Sequence, residues 1–184
     1  QSELTEGVAQ SEVVVQLAGV NRSEDPLDFL TGTADVTDRL CGMLRTSGRV
    51  TPVAYASSIQ AGQNNQYGKS KLAAENHLAE YAANTGANVG IYRLPNVFGK
   101  WCRPDYNSAV ASFCHNIAHG RPVRIDDPSA QIRLVYIDDV VEEFIRFVRG
   151  SSKSLYADVI PEYLTTVGEL VDQIRAFNEV RNGL

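Results

Sequence analysis

The chain has 184 residues, of which 43% are hydrophobic and 21% are charged. This size and composition exclude a disordered or fibrous protein and predict a single domain over 1–184. The apolar runs are far shorter than the ~20 residues that span a bilayer, so we expect no membrane segment. A net charge of -5 argues against a nucleic-acid partner. Three cysteines without a Cys-x-x-Cys pair favour reduced thiols and a cytoplasmic protein.

Short apolar runs alternate with helix-length segments, which predicts an α/β fold with a mainly parallel sheet. In the first half we expect a strand buried on both faces at 12–17, a helix at 33–47, a strand at 51–58, a helix at 66–86 capped by Gly86, and a strand at 87–94. In the second half we expect a helix at 108–119, apolar strand-length segments at 121–125 and 132–137, a helix at 138–150, and a helix at 166–180 whose Thr166 and Glu169 have capping-box spacing.

Polar residues follow two of the predicted strands. Ser57 and Ser58 end one strand, and Pro95 and Asn96 follow the next. Ligands of parallel sheets bind beyond the carboxyl ends of the strands. We therefore expect both strand ends to face one crevice that holds a site.

Tyr67 and Lys71 are four residues apart on a predicted helix, so they share one face. A free phenol has a pKa of ~10, and a neighbouring ammonium lowers that pKa by favouring the phenolate. If Ser58 lies nearby, its hydroxyl can hold the same substrate oxygen as charge develops. This trio suits carbonyl/alcohol interconversion with hydride transfer, although an isolated Tyr-x-x-x-Lys pair is more often a chance feature of an amphipathic helix.

Five motifs follow one another along the chain: "LAGVNR" at 17–22, "YASSIQ" at 55–60, "YGKSK" at 67–71, "YRLPNVFGK" at 92–100 and "QIRLVYIDDVV" at 131–141. In this order they resemble the motifs of the extended short-chain dehydrogenase/reductase family, which includes sugar-nucleotide epimerases, dehydratases and reductases. The resemblance implies a Rossmann-like fold with helices on both faces of the sheet. It also implies a nucleotide-binding part over about 1–100 and a small substrate-binding region over about 101–184.

The resemblance assigns roles to individual residues. The implied catalytic residues are Ser58, Tyr67 and Lys71. The implied cofactor-binding residues are Leu17, Ala18, Gly19, Tyr67, Lys71 and Pro95. The implied substrate-binding residues are Asn96, Arg133, Ser58 and Gln60, with Arg133 gripping a diphosphate in the bidentate manner that suits guanidinium. The alternatives are a turn role for Asn96 and a plain surface arginine at position 133.

A metal site is not expected. His115 and His119 are four residues apart, but they have no acidic partner at suitable spacing. We interpret them as ordinary helix residues.

Within the family, the short "IQAGQNNQ" connection and "FGKWCRPDYNS" at 98–108 resemble the bacterial reductases that act on UDP-linked 4-keto-6-deoxy amino sugars for capsular polysaccharide. Dehydratases of the family carry an Asp-Glu pair where this chain has Ile59 and Gln60, which disfavours dehydration. The implied reaction is reduction of the C4 ketone of a UDP-sugar with NADPH, or alternatively NADH. A 4-epimerase and a non-catalytic dinucleotide sensor remain alternatives.

The glycine-rich turn of the family, Gly-x-x-Gly-x-x-Gly, does not occur in the sequence. Because Gln1 aligns just before the strand that carries "LAG", and no methionine starts the chain, we expect a fragment that lacks the N-terminal βαβ unit. We also expect it to bind cofactor weakly by itself. The resemblance further implies a cupin-like domain beyond Leu184 and a homodimer formed through the helices near 33–47 and 66–84.

Overall fold

A computed structural model describes residues 2–182, which form two compact units. The first unit contains residues 2–94 and 142–158, and the second contains residues 95–141 and 159–182. The chain crosses from the first unit to the second at 94–95. The chain then returns to the first unit in the middle of a helix, which no local pattern of the sequence indicates.

The elements are numbered in chain order. The helices are α1 (Ser2–Gln10), α2 (Pro26–Phe29), α3 (Asp35–Thr46), α4 (Gln66–Thr85), α5 (Ala109–Ala118), α6 (Ile137–Val148) and α7 (Val167–Asn182), and a π-helical turn over Leu30–Ala34 joins α2 to α3. The strands are β1 (Val14–Gln16), β2 (Val53–Ser58), β3 (Val89–Leu94), β4 (Asn96–Phe98), β5 (Gln131–Tyr136), β6 (Tyr156–Ala157) and β7 (Glu162–Thr166).

The first unit contains a four-stranded parallel sheet in the order β1-β2-β3-β6. Helices connect the strands, as parallel pairing requires. In the register between β2 and β3, Ser57 pairs with Arg93 and Ser58 with Leu94. The predicted parallel sheet is confirmed, and Ser58 stands at its carboxyl edge.

The core of the first unit lies between this sheet and the pair α3 and α4. Its buried side chains include Leu40, Cys41, Leu44, Val53, Tyr55, Ala74, Leu78, Tyr81, Val89 and Ile91. The hydroxyl of Tyr81 donates to the Thr51 carbonyl at 3.0 Å and accepts from the Thr51 N–H at 3.2 Å. A buried polar group is therefore satisfied inside an apolar core.

Two sequence predictions are wrong in this description. The strand β1 is not buried on both faces, because Val15 and Leu17 are 37% and 65% exposed, and β1 pairs within the described sheet only with β2. The segment 121–125 is not a strand. Its Pro122 has no N–H for a ladder, and Arg124 turns to an ion pair with Asp126.

The second unit has a three-stranded sheet in which β4 and β5 are parallel and β5 and β7 are antiparallel. Ile132, Leu134 and Leu170 are buried there, with Phe98, Val110, Phe113, Val167 and Ile174 packed against them. The predicted capping box of α7 is confirmed: the Thr166 N–H donates to Glu169 at 3.0 Å, and the Glu169 N–H donates to the Thr166 hydroxyl at 3.2 Å.

The short loop after β2 folds directly onto the first turn of α4. The Asn65 side chain caps the helix by accepting the Gly68 N–H at 2.7 Å, and the Gly62 N–H donates to the Gly68 carbonyl at 3.1 Å. A Cβ atom at position 68 would collide with the Gln60 carbonyl oxygen and lie 2.9 Å from that of Gln63. Glycine at 68 thus lets a seven-residue connection join the strand end to the helix.

We expect Gly68→Ala to destabilise the protein by ~1–3 kcal/mol, because the collision is with backbone atoms that cannot rotate away. The matched control is Gly42→Ala on α3, where nothing lies within 4 Å of the added methyl group. Alanine there should stabilise the helix by ~0.5–1 kcal/mol. Urea unfolding followed by circular dichroism measures both, and equal effects of the two variants would contradict the proposed packing.

Candidate active site

Ser58 ends β2 in a fixed position. It is buried, and its Oγ accepts the Gln60 N–H at 3.2 Å. The Ile59 N–H donates to the Leu94 carbonyl at 3.1 Å, which continues the pairing with β3 past the end of the strand. Because Oγ already accepts a hydrogen bond, the hydroxyl proton of Ser58 is available for donation to another oxygen.

Tyr67 and Lys71 lie side by side in the first two turns of α4, as their spacing predicts. The Lys71 Nζ is 5.8 Å from the centroid of the Tyr67 ring and 5.0 Å from that of Tyr55. It donates to the Ala56 carbonyl at 3.0 Å. Among residues 2–182, no hydrogen bond joins the hydroxyls of Ser58 and Tyr67, so their joint contact with one substrate oxygen stays a prediction.

The ammonium of Lys71 is unusual because it is buried, with only 4% of the residue exposed. Burial lowers the pKa of Lys71 from 10.5 to about 8, and the negative charge of Glu75 acts in the opposite direction. Lys71 therefore carries its charge at neutral pH but lies close to its titration point.

The predicted cofactor residues Leu17, Ala18 and Gly19 directly follow β1. Gly19 approaches Lys71 so closely that an added Cβ atom would lie 3.2 Å from Nζ and 3.3 Å from the Thr33 Oγ1. The same hydroxyl oxygen accepts the Val20 N–H at 3.0 Å. The fold thus brings the segment after β1 beside the Tyr67–Lys71 pair.

In the second unit, two predicted substrate residues contact each other through the β4–β5 pairing. The Asn96 side-chain amide donates to the Arg133 carbonyl at 3.1 Å. The Arg133 guanidinium forms a bidentate ion pair with Glu162, in which Nη2 is 2.8 Å from Oε2. This guanidinium therefore holds a carboxylate in bidentate geometry, and its binding of a diphosphate stays a prediction. Pro95 precedes β4, and the Gln60 side chain of the first unit is exposed.

Known proteins were compared with the chain. The profile of the NAD dependent epimerase/dehydratase family matches residues 1–160. The chain belongs to this family. Its sequence is 48% identical over 182 residues to the UDP-2-acetamido-2,6-beta-L-arabino-hexul-4-ose reductase of Pseudomonas aeruginosa, in an alignment that covers 98% of this chain and 49% of the relative.

Solved structures agree with this assignment. The capsular polysaccharide assembling protein CapF of Staphylococcus aureus has a TM-score of 0.83 and 34% identity, covering 98% of this chain and 48% of that one. The UDP-glucose 4-epimerase of Thermotoga maritima has a TM-score of 0.85 at 20% identity, over 97% of this chain and 66% of that one, and shows the fold alone. The chain spans about half the length of the reductase and of CapF. The predicted family and Rossmann-like fold are confirmed.

Members of this epimerase/dehydratase family depend on NAD, and the residues described here fit one end of such a cofactor. The buried Lys71 ammonium beside the Gly19 backbone offers N–H donors that suit the hydroxyl oxygens of a ribose. The sequence has no glycine-rich turn for the pyrophosphate. The fit is therefore to the nicotinamide-ribose end.

Two other features of this family member were not predicted from sequence. Phe29, at the end of α2, packs edge-on against the Tyr67 ring with centroids 6.4 Å apart. Glu75, one helical turn beyond Lys71, is fully buried and paired with Arg93. Sequence signals for both exist: Asp25 and Pro26 form a helix start before Phe29, and Glu75 repeats the four-residue spacing of Tyr67 and Lys71.

The described residues contain neither a metal-binding cluster nor a membrane-spanning helix. Between residues 2 and 182, no group of three or more His, Cys, Asp or Glu side chains is arranged to hold a metal ion. His115 and His119 stack with ring centroids 4.3 Å apart. No helix in the same range has the length and apolar character needed to cross a bilayer.

We expect Lys71→Met to change how stability depends on pH. Below pH 8 the lysine is protonated in the folded and unfolded states, whereas between pH 8 and 10.5 only the unfolded chain keeps the proton. The wild type should therefore gain roughly 2 kcal/mol of unfolding free energy relative to Lys71→Met between pH 7 and pH 10. Urea unfolding at a series of pH values measures this difference.

The matched control is Lys69→Met, two residues away on the exposed side of the same helix. Its ammonium is in water in both states, so the difference from wild type should stay constant with pH. A constant difference for Lys71→Met as well would show that the Lys71 ammonium is not buried.

Proposed function

We propose that this protein reduces the C4 ketone of a UDP-linked 6-deoxy amino sugar, with NADPH or alternatively NADH, in cytoplasmic synthesis of capsular or surface polysaccharide precursors. The observation that carries the proposal is the buried Lys71 ammonium beside Tyr67, on the helix that follows the Ser58 strand end. The 48% identity to a relative named as a UDP-hexulose reductase supports the substrate class.

Each side chain of the trio has a chemical role in this proposal. A bound reduced nicotinamide supplies the hydride. Tyr67 gives its proton to the carbonyl oxygen of the sugar, and the Lys71 ammonium stabilises the negative charge that develops on the Tyr67 oxygen. Ser58 keeps its proton and donates a hydrogen bond from its hydroxyl to the same sugar oxygen, since its Oγ already accepts the Gln60 N–H.

The binding residues are assigned by the same proposal. Leu17, Ala18, Gly19 and Pro95 contact the cofactor together with Tyr67 and Lys71, because the segment after β1 passes beside the Lys71 ammonium. Asn96 and Gln60 contact the sugar nucleotide. Arg133 binds the diphosphate by exchanging the Glu162 carboxylate for phosphate oxygens.

A 4-epimerase is the second candidate, because the same trio can remove and return a hydride at C4. The fold likeness to a UDP-glucose 4-epimerase is compatible with it. Dehydration is disfavoured, since Ile59 and Gln60 offer no acid or base after Ser58. A non-catalytic dinucleotide sensor does not require a buried lysine that activates a tyrosine, so the Lys71–Tyr67 pair disfavours that alternative.

We also propose a homodimer through the helices near 33–47 and 66–84. These helices, α3 and α4, pack against each other through buried Leu44 and Leu78. They therefore offer one continuous two-helix surface to a second copy.

In the proposed reaction, Tyr67→Phe should lower kcat at least ~100-fold, because the general acid is lost while the ring remains. NADPH oxidation at 340 nm by the full-length protein, with a UDP-linked 4-keto-6-deoxy amino sugar as substrate, measures this. The matched control is Tyr163→Phe, whose ring packs against Phe98 in the second unit, and its rate should be unchanged. Inversion at C4 without net NADPH loss would establish the epimerase, and inertness toward both reactions would favour the sensor.

Loss of the diphosphate ligand should weaken substrate binding. We expect Arg133→Ala to raise the Kd for UDP about 10–100-fold, the effect of removing charge-assisted hydrogen bonds. Arg124→Ala removes an exposed arginine that pairs with Asp126 in the same unit, and should leave the Kd unchanged. Isothermal titration calorimetry measures both Kd values. An equal small change in the two variants would show that Arg133 does not bind the diphosphate.

A further inference from the structure

We propose that Glu75 is a positioning residue of the active site: its buried carboxylate lies one helical turn from Lys71 on the same face of α4 and fixes the end of the strand that carries Ser58. This inference rests on the proposed function and deepens it. It concerns residues of the first unit only.

Glu75 continues a line of polar side chains along α4. It follows Lys71 by four residues, as Lys71 follows Tyr67, so the three side chains lie on one face of the helix. This face packs against the sheet, and Glu75 is 0% exposed. A carboxylate in such a place destabilises the fold strongly unless both of its oxygens are satisfied.

Both oxygens of Glu75 are satisfied by the two strands below it. The Ser57 hydroxyl donates to Oε1 at 2.5 Å. The Arg93 guanidinium donates through Nε to Oε1 at 3.0 Å and through Nη2 to Oε2 at 2.6 Å. Ser57 and Arg93 are register partners on β2 and β3. The carboxylate thus ties two strands to one helix at the residue immediately before Ser58.

The groups around Lys71 show why the charge of Glu75 matters. Lys71 faces the Ala56 carbonyl and the Tyr55 ring on β2 and the Tyr67 ring on α4. Glu75 is the carboxylate that acts on it, and it raises the pKa of Lys71 against the larger lowering by burial. Without that charge, the pKa of Lys71 would be lower still.

Arg93 does not cancel this effect. It faces Glu75 from β3, with its guanidinium 4.9 Å from the centroid of the Tyr156 ring on β6. Its side chain is 42% exposed, whereas that of Glu75 is fully buried. Solvent screens the guanidinium more than the carboxylate. The net electrostatic field at Lys71 is therefore dominated by the Glu75 carboxylate, which favours the protonated lysine.

The test is an NMR pH titration of the Lys71 side chain in the protein labelled with 13C-lysine, with the signal assigned by its loss in Lys71→Met. In Glu75→Gln, which keeps the shape and removes the charge, we expect the Lys71 pKa to fall by about one unit or more. The matched control is Ser57→Ala, which removes a hydrogen bond from the same carboxylate but keeps the charge. There the pKa should move by less than about 0.3 unit, even if the melting temperature falls.

If Glu75 only stabilised the fold, the Lys71 pKa would not change in Glu75→Gln. If Glu75→Gln and Ser57→Ala leave the Lys71 pKa equally unchanged, the inference is overturned. If Glu75→Gln does not fold by circular dichroism, the double variant Glu75→Gln/Arg93→Gln replaces the ion pair by a neutral pair, and the same fall is expected. A wild-type Lys71 pKa below about 7 would overturn the inference whatever the variants do.

Activity gives a second readout. The alkaline limb of the kcat profile should move to lower pH in Glu75→Gln and stay in place in Ser57→Ala. The titration needs no substrate, so it distinguishes failure of the proposed function from failure of the positioning role of Glu75. A protein that is inert toward the UDP-sugar but shows the Lys71 shift refutes the proposed function and keeps the positioning role.

Discussion

The buried ammonium of Lys71 is the constraint on which the first unit depends. An ammonium with 4% exposure needs a nearby hydrogen-bond acceptor and a nearby negative charge. The Ala56 carbonyl provides the acceptor, and Glu75, one turn along α4, provides the charge. Because one partner is on the strand and the other on the helix, the lysine fixes which face of α4 meets the sheet.

Two glycines permit this arrangement. At Gly19 any side chain would press against the Lys71 ammonium, and at Gly68 it would collide with the loop that joins β2 to α4. Their role here is close approach of the backbone rather than a special backbone conformation. The fold thus accepts a helix-weakening residue, Gly68, in the first turn of α4, where the loop requires space.

Buried polar groups destabilise this site, and apolar packing offsets the effect. Lys71, Glu75 and Ser57 are buried next to a core in which Tyr55, Leu78 and Ile91 are fully enclosed. Satisfied buried networks specify one arrangement of strands and helix, even where an apolar replacement would be as stable. In the second unit the Arg133–Glu162 pair is instead partly exposed, with 51% and 29% of the two side chains accessible.

The sequence by itself determined the features that depend on near neighbours. These are the helix over Gln66–Thr85 with its C-terminal cap at Gly86, the shared face of Tyr67 and Lys71, and the capping box at Thr166. They could be predicted because helix periodicity and capping involve residues at most four positions apart. The alternation of strand-length and helix-length segments predicted the parallel sheet, and the family motifs assigned roles to the residues at its edge.

The tertiary structure decided the contacts between distant segments. The Glu75 network joins residues 18 positions apart, and the Arg133–Glu162 pair joins residues 29 positions apart. The exposure of β1 and the irregular course of 121–125 depend on which strands find partners. These features follow from strand register and from the path of the chain between units. Side-chain patterns along a single segment predict neither of these.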